Sequence, residues 1–316
     1  MRRIVGIIIF AIGLLMLLGS ILLKVQDIRE LSIGTLVSGA VIFGLSFIPR
    51  PNPGPDAPPP LPPTESIARA FYEPESLFKN LRYHPHWLAP FLIIALASGI
   101  YVVGYTQRLG AVKMASDVVE RRIAGGFIPE DQIDSYRMQS AAKAVREGLL
   151  PKITAPLTDI ILRFIFMLFV AGLLLLSVLA FGGRMNFWQA LSVGVYSALP
   201  PVVIERLLSL VLLYIKSPDE METLRVHKGL ARADLGLLFS ATEMGQPYLY
   251  IHPYLYAAGS LIGIFSLYRW WLTATGLRNT GEKISKGSAW AIVLMLWFLG
   301  VIVSLVVPLL VPSLVA

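Results

Sequence analysis

Residues 157–181 read LTDIILRFIFMLFVAGLLLLSVLAF, a run with only two charged side chains among its apolar residues. It is longer than the roughly 20 residues with which a helix crosses about 30 Å of hydrocarbon. Its continuous Leu, Ile, Val and Phe lack the alternation of a membrane β-strand, and in lipid a helix satisfies its own backbone hydrogen bonds. The run therefore predicts a membrane-spanning helix.

Six other stretches share this character, which extends the prediction to an all-α integral membrane protein of about seven transmembrane helices. The composition agrees, because 55% of the 316 residues are hydrophobic and only 15% are charged, whereas soluble domains carry about 25% charged residues. The predicted spans are Ile4–Leu23, Leu31–Ile48, Trp87–Tyr105, Leu157–Phe181, Phe187–Ile215, Ile251–Leu272 and Ser288–Val311.

The composition also excludes several kinds of site. The chain contains no cysteine, which excludes disulfides, thiolate metal sites, iron–sulfur ligation and cysteine nucleophiles. Its formal net charge of +7 comes mostly from loops beside the spans, so an anionic lipid surface is a more suitable partner than a nucleic acid. His84 and His86 flank a proline that keeps them extended, and no third ligand is close in sequence. We expect no cofactor and no bound metal.

Three segments follow each other along the chain. Residues 1–49 are expected to form an N-terminal transmembrane hairpin, whose first helix lacks the cleavage pattern of a secretory signal. Residues 50–66 begin with the run RPNPGPDAPPPLPP, which predicts a semi-rigid polyproline linker. Residues 67–316 are expected to form the main membrane domain.

The main domain is predicted to carry helical segments outside the membrane. Glu65–His86 has the pattern of an amphipathic helix that lies in the interface. Residues 106–156 contain two helical stretches, about Leu109–Ala124 and Pro129–Gly148, which predict a helical hairpin. Residues 216–250 are a second helical connection. Its apolar positions, which are expected to pack on the bundle or on the hairpin, are Leu230, Leu235, Leu237, Leu238 and Phe239.

The fifth predicted span, Phe187–Ile215, is too long for one straight crossing and contains Pro200 and Pro201. A proline pair removes two backbone donors and clashes with the preceding turn. The helix is therefore expected to kink or break at these two residues.

Ionisable residues lie within the fourth and fifth spans, where a charge is costly and usually points into the bundle. In one interpretation they are structural partners of one another, and in another they form a proton, ion or headgroup site. The sequence leaves both interpretations open. The four residues of this candidate polar cluster are Asp159, Arg163, Glu205 and Arg206.

Three short motifs follow one another along the main domain. The first is FYEPESLFKNLR at residues 71–82, followed by Pro85-His86-Trp87, and the second is YSALP at residues 196–200. The third is WWLTATGLR at residues 270–278, followed by Gly281 and by KGSA at residues 286–289. Together these three segments resemble the bacterial form of the Yip (Ypt-interacting protein) domain family. The resemblance covers about residues 67–316 and implies a five-helix membrane domain that follows a cytoplasmic segment. It names no reaction.

The resemblance and the basic residues together give expectations about location. The Asp-Leu-Tyr-Gly-Pro motif of the eukaryotic branch is absent, so small-GTPase binding is not implied. Arg2, Arg3 and the bases of the short loops favour a cytoplasmic N-terminus. The expected location is the inner membrane of a bacterial cell.

The sequence gives no positive support for catalysis, because it contains no nucleophile elbow, phosphate-binding glycine loop or metalloprotease helix pattern. The first hypothesis is a non-enzymatic scaffold or accessory subunit that interacts with other membrane proteins, with lipids or with copies of itself. The alternative is a small-solute or ion transporter that uses a broken fifth helix at Pro200-Pro201. An intramembrane enzyme would have only Glu205, Asp159 and Arg206 for its chemistry.

Overall fold

The computed structural model describes residues 2–22, 26–55, 57–124, 128–146, 150–217, 221, 229–231, 233–239 and 258–310. Within these residues the regular structure is helical apart from two isolated β-bridges, which confirms the all-α prediction. Short 3₁₀ helices occupy Glu130–Gln132 and Leu235–Phe239. The α-helices are α1 (Arg2–Leu22), α2 (Gln26–Leu45), α3 (Pro63–Tyr72), α4 (Pro74–Leu81), α5 (Leu88–Leu109), α6 (Ala111–Ala124), α7 (Ile133–Arg146), α8 (Leu150–Ala180), α9 (Phe187–Ile215), α10 (Ile264–Thr280) and α11 (Lys286–Leu310).

The chain divides into two compact units. The first unit consists of Met1–Ile100, Leu149–Val203 and Trp270–Val293, and the second consists of Tyr101–Gly148, Ile204–Arg269 and Leu294–Ala316. The first unit therefore contains the N-terminal hairpin and the Pro-rich linker, and the second contains α6 and α7.

Five helices in the described part of the chain are long and apolar enough to cross a membrane. Two predicted spans form shorter helices. The apolar part of α2 is Leu31–Leu45, and α10 begins at Ile264 and ends at Thr280, whereas its span was predicted at Ile251–Leu272. Helix α10 continues past the predicted end at Leu272 to Thr280, since no proline lies in that stretch. Residues 251–257, where the span was predicted to begin, lie outside the described residues. The apolar parts of these five helices are Arg3–Leu22 of α1, Leu88–Leu109 of α5, Pro156–Ala180 of α8, Phe187–Ile215 of α9 and Lys286–Val306 of α11.

Helices α1 and α2 form the predicted hairpin through close backbone contact. A Cβ on Gly13 would lie 2.5 Å from the Leu36 nitrogen, so only glycine fits at this crossing. On the other side of α2, a Cβ on Gly34 would lie 2.8 Å from Ile161 Cγ2 of α8. Small residues thus bring α2 close to both neighbours, as is usual for helices in lipid.

Helix α9 is continuous from Phe187 to Ile215, through the two prolines where a kink or a break was predicted. The helix therefore does not break at these residues, and the kink stays a prediction. The proline nitrogens cannot donate to the carbonyls one turn earlier, but the turn is held by its surroundings. Tyr196, Ala198 and Leu199 are fully buried, and tight packing of this kind lets membrane helices accommodate proline.

Helices α6 and α7 of the second unit form the predicted helical hairpin. Arg137 donates two hydrogen bonds to the Glu120 carboxylate, of 2.7 and 2.8 Å, and Arg122 donates to the Tyr136 hydroxyl. The bidentate bond lowers the pKa of Glu120, because it favours the charged carboxylate.

The described parts of the second connection confirm one predicted contact and correct two others. Leu230 is buried in a cluster with Tyr101, Tyr105 and Leu213, so this residue packs on the bundle as predicted. Leu235 and Leu238 are 47% and 77% exposed and do not pack in this way. They are three residues apart in a 3₁₀ helix and so lie on the same face of it, and this face is the exposed one. The side chains of Leu237 and Phe239 are not among those that the structure describes.

Candidate functional site

Asp159 and Arg163, two of the four predicted cluster residues, form an ion pair with each other on α8 in the first unit. Arg163 Nη2 lies 3.1 Å from Asp159 Oδ2, and Arg163 Nε also points at this oxygen. The two side chains are only 20% and 28% exposed. A four-residue spacing on one helix brings the charges together, so each offsets the cost of placing the other within a span.

Glu205 and Arg206 are half-buried on α9 in the second unit, beside residues 229–231. A Cβ on Gly229 would lie 2.7 Å from Glu205 Oε1 and 3.3 Å from Arg206 Nη1. The Ala231 nitrogen donates to Ser209 Oγ, one turn further along α9, at 2.9 Å. Residues 229–231 therefore lie against α9, and the hydrogen bond between Ala231 and Ser209 holds them there.

Arg206 also has an aromatic neighbour in the same unit. Its guanidinium carbon lies 5.0 Å from the centre of the Tyr101 ring, within the range of a cation–π interaction. That Asp159 and Arg163 join Glu205 and Arg206 in one cluster stays a prediction, since the two pairs belong to different units.

Replacing Gly229 by alanine tests the contact with Glu205. Gly229 has φ +120°, and the added Cβ would also meet the carboxylate, so we expect a loss of about 2 kcal/mol in the free energy of unfolding. Gly110→Ala is the matched control, because Gly110 has φ +78° with no atom within 4 Å of the Cβ position. SDS titration of the two variants measures the difference. Equal losses would contradict the close approach of residue 229 to Glu205.

In the first unit, residues 58–86 and the connections 181–186 and 281–285 form one polar surface, which we call the platform. Backbone hydrogen bonds of 2.9 Å join Arg184 and Glu282 in both directions, and Arg82 forms an ion pair with Glu282 at 3.1 Å. Gln189 donates to the Arg82 carbonyl at 2.6 Å, and Thr280 donates to the Phe78 carbonyl at 3.0 Å. Helix α4 is thereby tied to the helix ends on which it lies.

The last residues of the Pro-rich linker form part of this platform and are held there by hydrogen bonds. Asn80, which is buried, donates to the Pro59 carbonyl at 2.8 Å and accepts from the Leu61 nitrogen at 3.3 Å. His84 Nε2 donates to the Pro58 carbonyl at 2.7 Å. The linker therefore docks on the protein through its backbone, a role for Asn80 that its sequence position did not indicate.

The segments that carry the family resemblance meet at the platform. Phe78 of the first segment is buried against Gly276 of the third, and a Cβ on Gly276 would lie 3.0 Å from Phe78 Cε1 and 2.7 Å from Val193 Cγ1. The His86 ring of the first segment meets the Tyr196 ring of the second edge to face, with centroids 5.6 Å apart. Packing between these segments explains why the three motifs occur together.

His86 is a neutral hydrogen-bonded residue of this contact. A carbonyl can only accept, so His86 Nδ1–H donates to the His84 carbonyl at 2.8 Å and Nε2 lies 3.1 Å from Ser66 Oγ. Burial lowers the pKa of His86 from its ordinary 6.5, because it penalises the charged ring. Among the described residues no group of three or more His, Asp and Glu could hold a metal ion.

The lowered pKa of His86 predicts a pH-dependent stability. The folded protein favours the neutral ring, so this contribution is present above pH 6.5 and is lost as the pH falls below 6.5 toward the folded pKa. Thermal unfolding in detergent between pH 7.5 and 5 should show a smaller decrease for His86→Gln than for the wild type. His84→Gln is the control. If the loss of thermal stability between pH 7.5 and 5 were equally small in both variants, the assignment to His86 would be contradicted.

Comparison of the sequence with known families matches the Yip1 domain over residues 68–307. Comparison with curated proteins and with solved structures found no match. The matched region begins in α3 and includes the platform helices, α5 to α10 and most of α11. Since it spans more than half of the 316 residues, the chain belongs to the Yip1 domain family.

Proposed function

We propose that this membrane protein is a non-enzymatic scaffold or accessory subunit that binds another membrane protein through the platform. The observation that carries the proposal is a fixed pair of exposed aromatic residues on α3. Phe71 and Tyr72 are 41% and 68% exposed, although they end a helix whose next neighbour, α4, buries five of its eight residues. Exposed aromatic side chains on a rigid element are typical anchors of protein interfaces.

The junction of α3 and α4 is held by Arg69. Its guanidinium binds Glu65 at 2.6 Å, Ser76 Oγ at 2.9 Å and Glu73 at 3.3 Å. Hydrogen bonding to the Glu65 carboxylate raises the pKa of Arg69, because it favours the charged guanidinium. Phe71 and Tyr72 therefore need little ordering when a partner binds, which favours affinity.

Neither of the other hypotheses is supported by a particular observation. The transport alternative depended on a break at Pro200-Pro201, and α9 is continuous there. The acidic residues proposed for an intramembrane enzyme are engaged with neighbours, Asp159 with Arg163 and Glu205 beside Gly229. Both arrangements favour structural roles for these charges.

Site-specific photo-crosslinking tests the proposed interface. A photoreactive phenylalanine at position 72 should give one discrete protein adduct in native membranes, identified by mass spectrometry, and Phe71→Ala should weaken it at least fivefold. The same probe at Phe169, which is 62% exposed within a long apolar helix, is the control and should label lipid. Lipid adducts alone at both positions would overturn the proposal.

We further propose that the N-terminus and the platform are cytoplasmic and that the protein lies in a bacterial inner membrane. The basic N-terminus supports this orientation, and one long apolar helix, α5, separates the linker from the α6–α7 hairpin along the chain. Cysteine is absent from the chain, so Asn52→Cys in the linker and Gln139→Cys in the hairpin give single exposed thiols. An impermeant thiol reagent added to intact cells should label position 139 and spare position 52. The reverse pattern, or labelling of both, would contradict the orientation.

A further inference from the structure

A cleft of about 230 Å³ lies in the first unit, where helices α4, α10 and α11 come together. One face of α10 supplies Trp271, Thr275 and Arg278, at the spacing of successive helical turns. The first turns of α11 supply Lys286 and Trp290, and Glu75 comes from the first turn of α4. The cleft is thus built by the first and third segments of the family resemblance, and it includes none of the four ionisable residues predicted from the spans.

The charges of the cleft are available to a ligand. Glu75, Arg278 and Lys286 are exposed, and within the described part of the chain none of them forms an ion pair. Two cations and one carboxylate therefore surround the same cavity without neutralising one another by contact. An arginine with a neighbouring lysine suits a phosphate group, which arginine binds with two parallel hydrogen bonds.

The cleft changes from charged to aromatic along α10. Arg278 lies in the last turn, and Trp271 is seven residues earlier, which corresponds to about 10 Å along the helix axis. Trp271 is 43% exposed, and Trp290 lies one turn into the apolar helix α11. Tryptophan is typical of the level where lipid headgroups meet acyl chains. A ligand that fits this arrangement is charged at one end and apolar at the other.

We propose that this cleft binds a glycerophospholipid whose phosphodiester carries an ammonium headgroup. The phosphodiester contacts Arg278 and Lys286, and the ammonium group contacts Glu75. The glycerol and acyl chains lie against Trp271 and Trp290. This site goes beyond the proposed binding of a protein partner and does not depend on it, because Phe71 and Tyr72 do not line the cleft.

Native mass spectrometry of the full chain, after exchange into detergent with defined lipid, tests the site. The double variant Arg278→Gln with Lys286→Gln should retain phosphatidylethanolamine at least tenfold less than the wild type. The matched control, Arg184→Gln with Lys283→Gln, also removes two exposed bases from the platform, but neither base lines the cleft. Its lipid retention should be unchanged. Equal losses of lipid retention in the two double variants would mean that retention depends only on the overall charge, and this result would overturn the site.

Two further variants test separately the space in the cleft and the charge of its carboxylate. Thr275→Trp fills the cleft while all three charges remain, and it should also reduce lipid retention at least tenfold. Glu75→Gln should retain lipid but lose the preference for phosphatidylethanolamine over phosphatidylglycerol. Retention unaffected by Thr275→Trp would contradict the cleft as the site, and an unchanged preference in Glu75→Gln would contradict the role of the carboxylate.

A third comparison distinguishes a lipid from a soluble anion. Inorganic phosphate or soluble glycerophosphoethanolamine at millimolar concentration should not displace the lipid, since neither has a part that reaches Trp271. Displacement by inorganic phosphate would assign the cleft to a soluble phosphate compound and overturn the lipid proposal.

Discussion

Replacing Gly276 by leucine is expected to lower the free energy of unfolding by about 3 kcal/mol, because the new side chain has no room where α4 and α9 meet α10. Even a Cβ at this position would lie 2.7 Å from Val193 Cγ1 and 3.0 Å from Phe78 Cε1. Val193 and Phe78 are 0% and 1% exposed, so neither can move into solvent. The variant should therefore displace α4 from the bundle end and disturb the platform.

Gly172→Leu is the matched control for this prediction. Gly172 also lies within a helix of the first unit, and no atom lies within 4 Å of its Cβ position. Leucine has a higher helix propensity than glycine by up to about 1 kcal/mol, so the control should be neutral or slightly stabilising. SDS titration measures both variants. A combined Gly276→Leu and Phe78→Ala variant should lose less than the sum of the single losses, since Phe78→Ala opens space for the leucine. Strict additivity would argue against the proposed clash.

Replacing Asp159 by leucine should cost about 2–3 kcal/mol, because it leaves the Arg163 guanidinium without its carboxylate inside a membrane span. The estimate is below the 3–5 kcal/mol of a fully buried pair, since the side chains of Asp159 and Arg163 are 28% and 20% exposed. The double variant Asp159→Leu with Arg163→Leu removes both charges. It should be close to the wild type in stability, or more stable.

The four proteins of this double-mutant cycle are compared by thermal unfolding in the same detergent. The coupling between Asp159 and Arg163 should exceed 1 kcal/mol and depend only weakly on salt, since the pair is partly shielded from water. A double variant as unstable as either single variant would refute the ion pair as the main partner of each charge. Repeating the cycle with Glu205→Gln in place of Asp159→Leu tests the remaining prediction that all four residues form one cluster.

The membrane spans were readable from sequence because burial in lipid needs a long apolar run, whatever its neighbours are. The run at 157–181 and the apolar part of α8, Pro156–Ala180, differ by one residue at each end for this reason. The helical hairpin was predictable for a related reason, since its periodicity and its glycine and proline boundaries act locally. The amphipathic segment was predicted as one helix over Glu65–His86, whereas Pro74 begins a second helix there and divides the segment into α3 and α4. At the two prolines of α9 a local rule predicted a kink or a break, and packing keeps this turn helical, so the helix does not break there.

The sequence by itself determined the membrane class, the helical fold and the family, because hydropathy, periodicity and the order of three short motifs are properties of contiguous residues. Only the tertiary structure decided which side chains meet. Glu75, Arg278 and Lys286 are separated by up to 211 positions and line one cleft, whereas neighbouring residues such as Asp159 and Arg163 simply pair with each other. A contact between distant residues depends on how helices pack, and helix packing depends on small fitted surfaces such as Gly276 against Phe78, which no local pattern records.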